Sequence, residues 1–144
     1  MTAKLKEHLA CLIDAGLQFR QAHWNVKGAN FSGLHALFGE AYDLLSGQAD
    51  EVAERLSQKG VFVEGNVSFL VKTSCIADLP KTENNTTLAK SGGDLLHSLA
   101  TRSQECFVHC TNAGDHITAD LLIGQAGALD LIAWKIRNHS IEGK

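Results

Sequence analysis

The 144-residue sequence has one proline, no Cys-x-x-Cys pair, no lysine and arginine cluster, and no apolar run near the ~18 residues a membrane span needs. Without such a run the chain is expected to stay out of the bilayer. The four cysteines, Cys11, Cys75, Cys106 and Cys110, are too sparse for a disulfide scaffold and are expected as free thiols in a reducing compartment. The cytoplasm is the expected location, with association with the nucleoid left open, since residues 1–16 mix acidic and polar side chains into the apolar stretch and lack a secretory cleavage site. Thirteen basic against sixteen acidic residues give a net charge of −3, which supplies no electrostatic footprint for nucleic acid. What is present is 44 % hydrophobic and 20 % charged residues in a length that fits one core, so residues 1–144 are expected to form a single domain.

The apolar positions recur at helical spacing. Leu5, Leu9, Leu12 and Ile13 begin a first helix that continues to about residue 27, where Lys27-Gly28-Ala29-Asn30 breaks the pattern. Asn30 is the expected N-cap of a second helix, whose stripe Phe31, Leu34, Phe38, Ala41, Leu45, Val52 and Leu56 ends at Gly60. A short helix is expected near Val67 to Val71 inside the long gap that follows. A third long helix covers about Asn85 to Thr111, weakened at Gly92-Gly93, and a fourth begins at Asp115 or Thr118 and is apolar on more than one face. The fold class expected is all-α: a ferritin-like four-helix bundle with a short extra helix in the long crossover between helices 2 and 3.

The chemistry sits on the second helix. Asp50 and Glu54 are four residues apart and share a face, offering two hard oxygen ligands, although such a pair by itself is far more often a solvated surface feature. At ~100° per residue, His35, position 39, Asp50 and Glu54 all point away from the apolar stripe. His35 and Glu54 are ~28 Å apart along the axis, too far for one ion in one chain. Two copies of the helix packed antiparallel about a two-fold axis bring His35 opposite Glu54 and position 39 opposite Asp50, creating two identical sites at the interface. His23, near the end of the first helix, joins the His35 end. Imidazole with carboxylate suits Fe(II), and Zn(II) would also bind. A di-iron centre inside the bundle is disfavoured, because it needs Glu-x-x-His pairs and the sequence has none.

The segments His23-Trp24-Asn25-Val26-Lys27-Gly28-Ala29-Asn30-Phe31, Leu34-His35 and Asp50-Glu51-Val52-Ala53-Glu54-Arg55 strongly resemble the Dps family of mini-ferritins. The resemblance is dense over residues 12 to 60 and returns around Gly114 to Leu122. It implies a hollow homo-oligomer of twelve subunits that oxidises iron(II), preferably with hydrogen peroxide, stores ferric iron and protects against oxidative damage. It assigns the ferroxidase ligands as His23 and His35 from one subunit and Asp50 and Glu54 from its neighbour. It aligns Asp115 and Asp120 with the acidic segment of the family's three-fold iron pore. One position departs: the family's aspartate four residues after the second histidine is Gly39 here, with Glu40 or Asp43 as candidate substitutes. Family members often carry a lysine-rich tail for DNA. This chain offers only Lys4 and Lys6 at one end and Gly143-Lys144 at the other, so DNA binding is expected to be weak or absent. A DNA-condensing protein with weak iron chemistry and a metal-sequestering shell with impaired ferroxidase are the alternatives. Cys106, His109 and Cys110 share a face and form a candidate soft-metal cluster, against the plainer reading of buried cysteine as a small hydrophobe.

Overall fold

The computed structural model describes residues 1–141, so the Gly143-Lys144 end lies outside the described residues. Four long helices, α1 (Thr2–Asn25), α2 (Phe31–Gln58), α4 (Asn85–Asn112) and α5 (His116–Arg137), pack around one core. The short α3 (Val67–Thr73) lies in the crossover from α2 to α4, and a 3-10 turn (Asn138–Ser140) follows α5. The fold is the expected all-helical, ferritin-like one.

α1 stops two residues earlier than the apolar periodicity suggests. Val26 turns to an extended conformation and buries its side chain, with its amide still bonded to the Ala22 carbonyl. The chain then reverses through two left-handed residues, Gly28 (φ 73°) and Asn30 (φ 63°). Asn30 does precede α2, but its side chain caps nothing. It is there because asparagine tolerates the left-handed region. Asn85, at the start of α4, clamps this turn by donating to the carbonyls of Lys27 and Ala29 (2.6 Å to the latter). The hairpin that orders the ends of α1 and α2 is thus tied to a third helix.

Gly92 and Gly93 do not interrupt α4. A Cβ at Gly92 would stand 3.2 Å from Phe19 and 3.5 Å from Phe38, whose rings pack 6.0 Å apart in the core. A Cβ at Gly93 would stand 3.2 Å from the Ala133 carbonyl oxygen of α5 and would collide with Arg137. The helix-propensity cost of these glycines, roughly 1 kcal/mol each, is offset by packing that no larger residue permits.

α5 begins at Asp115, whose carboxylate accepts from the Thr118 amide (3.2 Å). Thr118 is buried rather than a cap. Within His116–Ser140 an 18-residue stretch reaches a mean hydropathy of 1.3, so by length and composition alone this helix could cross a bilayer, against the expectation that nothing reaches span length. Its composition comes from a different cause. Leu122, Leu129, Ile132 and Ile136 face the bundle core, while Ile117, Leu131 and Trp134 stand exposed on the outside.

Candidate metal centre

His23 lies in the last turns of α1 and His35 in the second turn of α2, brought face to face by the tight reversal between them. Their rings stack with centroids 3.7 Å apart and planes 18° from parallel, and Phe31 stacks on the far face of His35 at 5.0 Å. Each Nδ1 meets the other residue's backbone carbonyl: His23 Nδ1 donates to the His35 oxygen (2.6 Å) and His35 Nδ1 to the His23 oxygen (2.8 Å). A carbonyl can only accept, so both protons must sit on Nδ1. This is the tautomer that presents both Nε2 atoms to a metal, in the arrangement by which an outer hydrogen bond fixes a ligating histidine.

Asp50 and Glu54 are exposed on the same α1–α2 side, lining a groove with Leu9 and Ile13 of α1 and Val63, Glu64 and Gly65 of the crossover. They are not brought to the histidines. Among the described residues no three His, Cys, Asp or Glu side chains meet closely enough to hold a metal. One chain carries a pair of nitrogen donors near one end of α2 and a pair of oxygen donors near the other.

Gly39 sits one turn beyond His35, directly beneath the His23 ring. A Cβ there would come within 3.2 Å of both His23 Cε1 and Nδ1, closer than side chains normally tolerate. The imidazole occupies the space that a side chain at 39 would need. Neither proposed substitute stands close by. Glu40 reaches toward α5 and pairs with Lys135 (3.3 Å), and Asp43 lines a separate groove between α2 and α5 with Glu51, Asp120, Gln48 and Gln125.

The ferritin-like domain model matches residues 2–140. The DNA protection during starvation protein of Porphyromonas gingivalis is 31 % identical over 84 % of this chain and 76 % of its own length. The protein of the same description from Mycolicibacterium smegmatis is 29 % identical over 94 % of this chain and 74 % of its own length. The chain belongs to the Dps family. The solved structure of Mycobacterium smegmatis Dps superposes with a TM-score of 0.89 at 27 % identity, covering 96 % of this chain and 79 % of that one. Dps membership carries with it, at the level of the family, the binding and storage of iron.

The two acidic residues aligned with the Dps pore differ in their freedom. Asp120 is exposed, whereas Asp115 is largely buried and accepts from Arg55 (3.1 Å), Lys59 (2.5 Å) and the Thr118 hydroxyl (2.7 Å). Burial works to raise the Asp115 carboxyl, but the bonds from Lys59, Thr118 and Arg55 outweigh it and hold it well below the usual carboxylate range. The soft-metal cluster does not form: Cys106 and Cys110 are buried in the core, while His109 is exposed. They pack as small hydrophobes because α4 turns that side inward. The residue reading also missed Arg20 and Tyr42. The Arg20 guanidinium lies 4.3 Å over the Tyr42 ring and hydrogen-bonds its hydroxyl, one turn before His23 on α1 and one turn after Gly39 on α2. The i, i+3 spacing of each to a candidate site position was the available signal.

Proposed function

We propose that this Dps chain binds iron(II) at a two-fold interface, oxidises it and stores the product as ferric mineral inside a closed homo-oligomer, expected to be a dodecamer of one-domain subunits. The observation that carries the reading is the histidine pair, His23 of α1 and His35 of α2, with each Nδ1 committed to a backbone carbonyl and each Nε2 open, while Asp50 and Glu54 stand apart from it further along α2. Antiparallel pairing of α2 about a two-fold axis would set His35 of one subunit opposite Glu54 of the next, completing a nitrogen and oxygen donor set suited to Fe(II) and also to Zn(II). Two iron(II) ions supply the two electrons that reduce hydrogen peroxide to water, so no hydroxyl radical need be released. The protein's part is to position the metal; the metal supplies the redox chemistry. Asp115 and Asp120 are the candidate lining of the entry pore, with Asp120 the freer carboxylate. Protection of DNA, which the relatives' names describe, would then act through removal of iron and peroxide in the cytoplasm, since a net charge of −3 disfavours contact with phosphate.

A second reading follows from Gly39. With its Cβ space filled by His23 and with Glu40 and Asp43 turned elsewhere, the site has one carboxylate fewer than the Dps pattern. It would hold one iron firmly and a second weakly, giving a shell that captures metal with reduced ferroxidase activity.

The test is iron(II) titration under anaerobic conditions, followed by peroxide-driven Fe(III) absorbance. His23→Ala, His35→Ala, Asp50→Ala and Glu54→Ala should each weaken binding by more than about tenfold while the fold persists, because all four side chains lie off the core. Unchanged isotherms in the four variants would show that the metal sits elsewhere. A wild-type protein that binds iron at this site but gives no fast oxidation would select the second reading.

A further inference from the structure

The crossover between α2 and α4 is gripped by one stripe of α1. Along that stripe stand Glu7, Cys11, Asp14 and Gln18, and each engages the passing segment of residues 74–79. The Ser74 hydroxyl donates to Asp14 (2.6 Å), the Leu79 amide donates to Gln18 (2.7 Å), and the Cys75 thiol donates to Glu7 (3.3 Å). In the middle of this row the sulfurs of Cys11 and Cys75 lie 3.6 Å apart. That is van der Waals contact with nothing between, and a disulfide of ~2.05 Å requires a closure of only ~1.5 Å. Cys11 is fully buried in α1, whereas Cys75 belongs to an exposed residue whose sulfur is turned toward α1.

We propose that Cys11 and Cys75 are an oxidation site, forming an intrachain disulfide with a hydroperoxide such as hydrogen peroxide as oxidant and so clipping the crossover to α1. Access sets the order of events. The Cys75 thiolate attacks the peroxide O–O bond; a sulfur–oxygen bond forms and hydroxide leaves, taking a proton to become water. The Cys11 sulfur, deprotonated as it attacks, then displaces hydroxide from the Cys75 sulfenic acid. The S–S bond forms, and the departing oxygen leaves as a second water. Two thiols and one peroxide give one disulfide and two waters.

The surroundings make this step slow. Desolvation of the sulfur, with the hydrogen bonds to Glu7 and Cys11, pushes the Cys75 thiol up to about 11. Glu7 is kept ionised by its bonds with Cys75 and Arg102, the latter at 3.0 Å. Thiolate is scarce at neutral pH, so the clip answers sustained peroxide rather than a brief pulse. Its consequence reaches the ligand face, because the same crossover contributes Val63, Glu64 and Gly65 to the groove of Asp50 and Glu54.

The experiment uses the assembled, metal-free protein, so its outcome is separate from that of the iron reading. After exposure to hydrogen peroxide, non-reducing tryptic mapping should find residues 7–20 joined to residues 73–81. Thiols titrated after unfolding should fall from four to two, at a rate that climbs with pH. Cys75→Ser should leave Cys11 unoxidised, and Cys11→Ser should let Cys75 run on to sulfinic acid. Should Cys11→Ser disturb the core, the wild-type map and Cys75→Ser still decide the matter. Sulfinic Cys75 beside a free Cys11 in the wild type, or chain-to-chain dimers through Cys75, would overturn the proposal.

Discussion

The contact between Gly39 and His23 makes position 39 a choice between a side chain and an imbalance in the histidine stack. Gly39→Ala adds the best helix former where glycine costs roughly 1 kcal/mol, yet its methyl must displace a ring fixed by a 2.6 Å hydrogen bond. Its stability should change little while iron binding weakens, which a thermal scan and a titration on the same sample can separate. Gly39→Asp incurs the same displacement and adds a carboxylate. It should raise the stoichiometry from near one toward two irons per site without tightening the first, and an Asp variant that tightens both would show that His23 adapts freely. His8 is a second residue whose environment has a measurable sign. It is buried on α1 with neither ring nitrogen partnered, and burial, helped by Arg102, lowers it from 6.5 to about 4. The folded state therefore keeps His8 neutral where the unfolded chain binds a proton. Its contribution is complete above pH 6.5 and is lost as pH falls toward about 4, a loss of at most roughly 3 kcal/mol. His8→Leu should flatten the fall in melting temperature across that window, and an unaltered pH profile would exclude His8 as its source.

At the scale of elements, Asp115 joins the start of α5 to the end of α2. It caps one helix and pairs with Arg55 and Lys59 of the other region, so Asp115→Ala should cost about 2 kcal/mol, from a lost cap and a half-buried guanidinium left short of a partner. Because the carboxyl is held low, that stability is present above ~3.9 and disappears as pH falls below it toward the folded value. A calorimetric difference between wild type and variant that vanishes in strong acid would bear this out. The four long helices, the short crossover helix and the Asp115 cap were legible in the sequence because each rests on local signals: spacing, capping chemistry, a break in periodicity. So was the separation of His35 from Glu54, which follows from helix rise alone. What depended on a neighbour was not. Gly92 reads as a weak point until Phe19 and Phe38 are seen against it. Asn30 reads as a side-chain cap until its left-handed φ is known, and Cys11 and Cys75 are sixty-four residues apart in the chain.

For the whole molecule, the outer surface carries apolar groups that one bundle leaves uncovered: Trp24 on α1, Ile117, Leu131 and Trp134 on α5, each more than half exposed. If the chain assembles as its Dps relatives do, these are groups available to be covered by a neighbouring subunit. Light scattering at micromolar concentration and neutral pH should report about twelve subunits, and a monomer would remove the basis for the shared site. In gel shifts the wild type should show no DNA binding above ~150 mM salt, where a protein of this charge has no counterion release to draw on. The division of ligands along α2 has a kinetic meaning as well. If nitrogen donors of one subunit must meet oxygen donors of another, a newly made, solitary chain is inert toward iron. Dilution below the dimer's dissociation constant should then extinguish turnover per subunit while leaving every helix intact. On the proposed reading, the distance between His35 and Glu54 would work as an interlock, withholding peroxide chemistry until there is a compartment to receive its product.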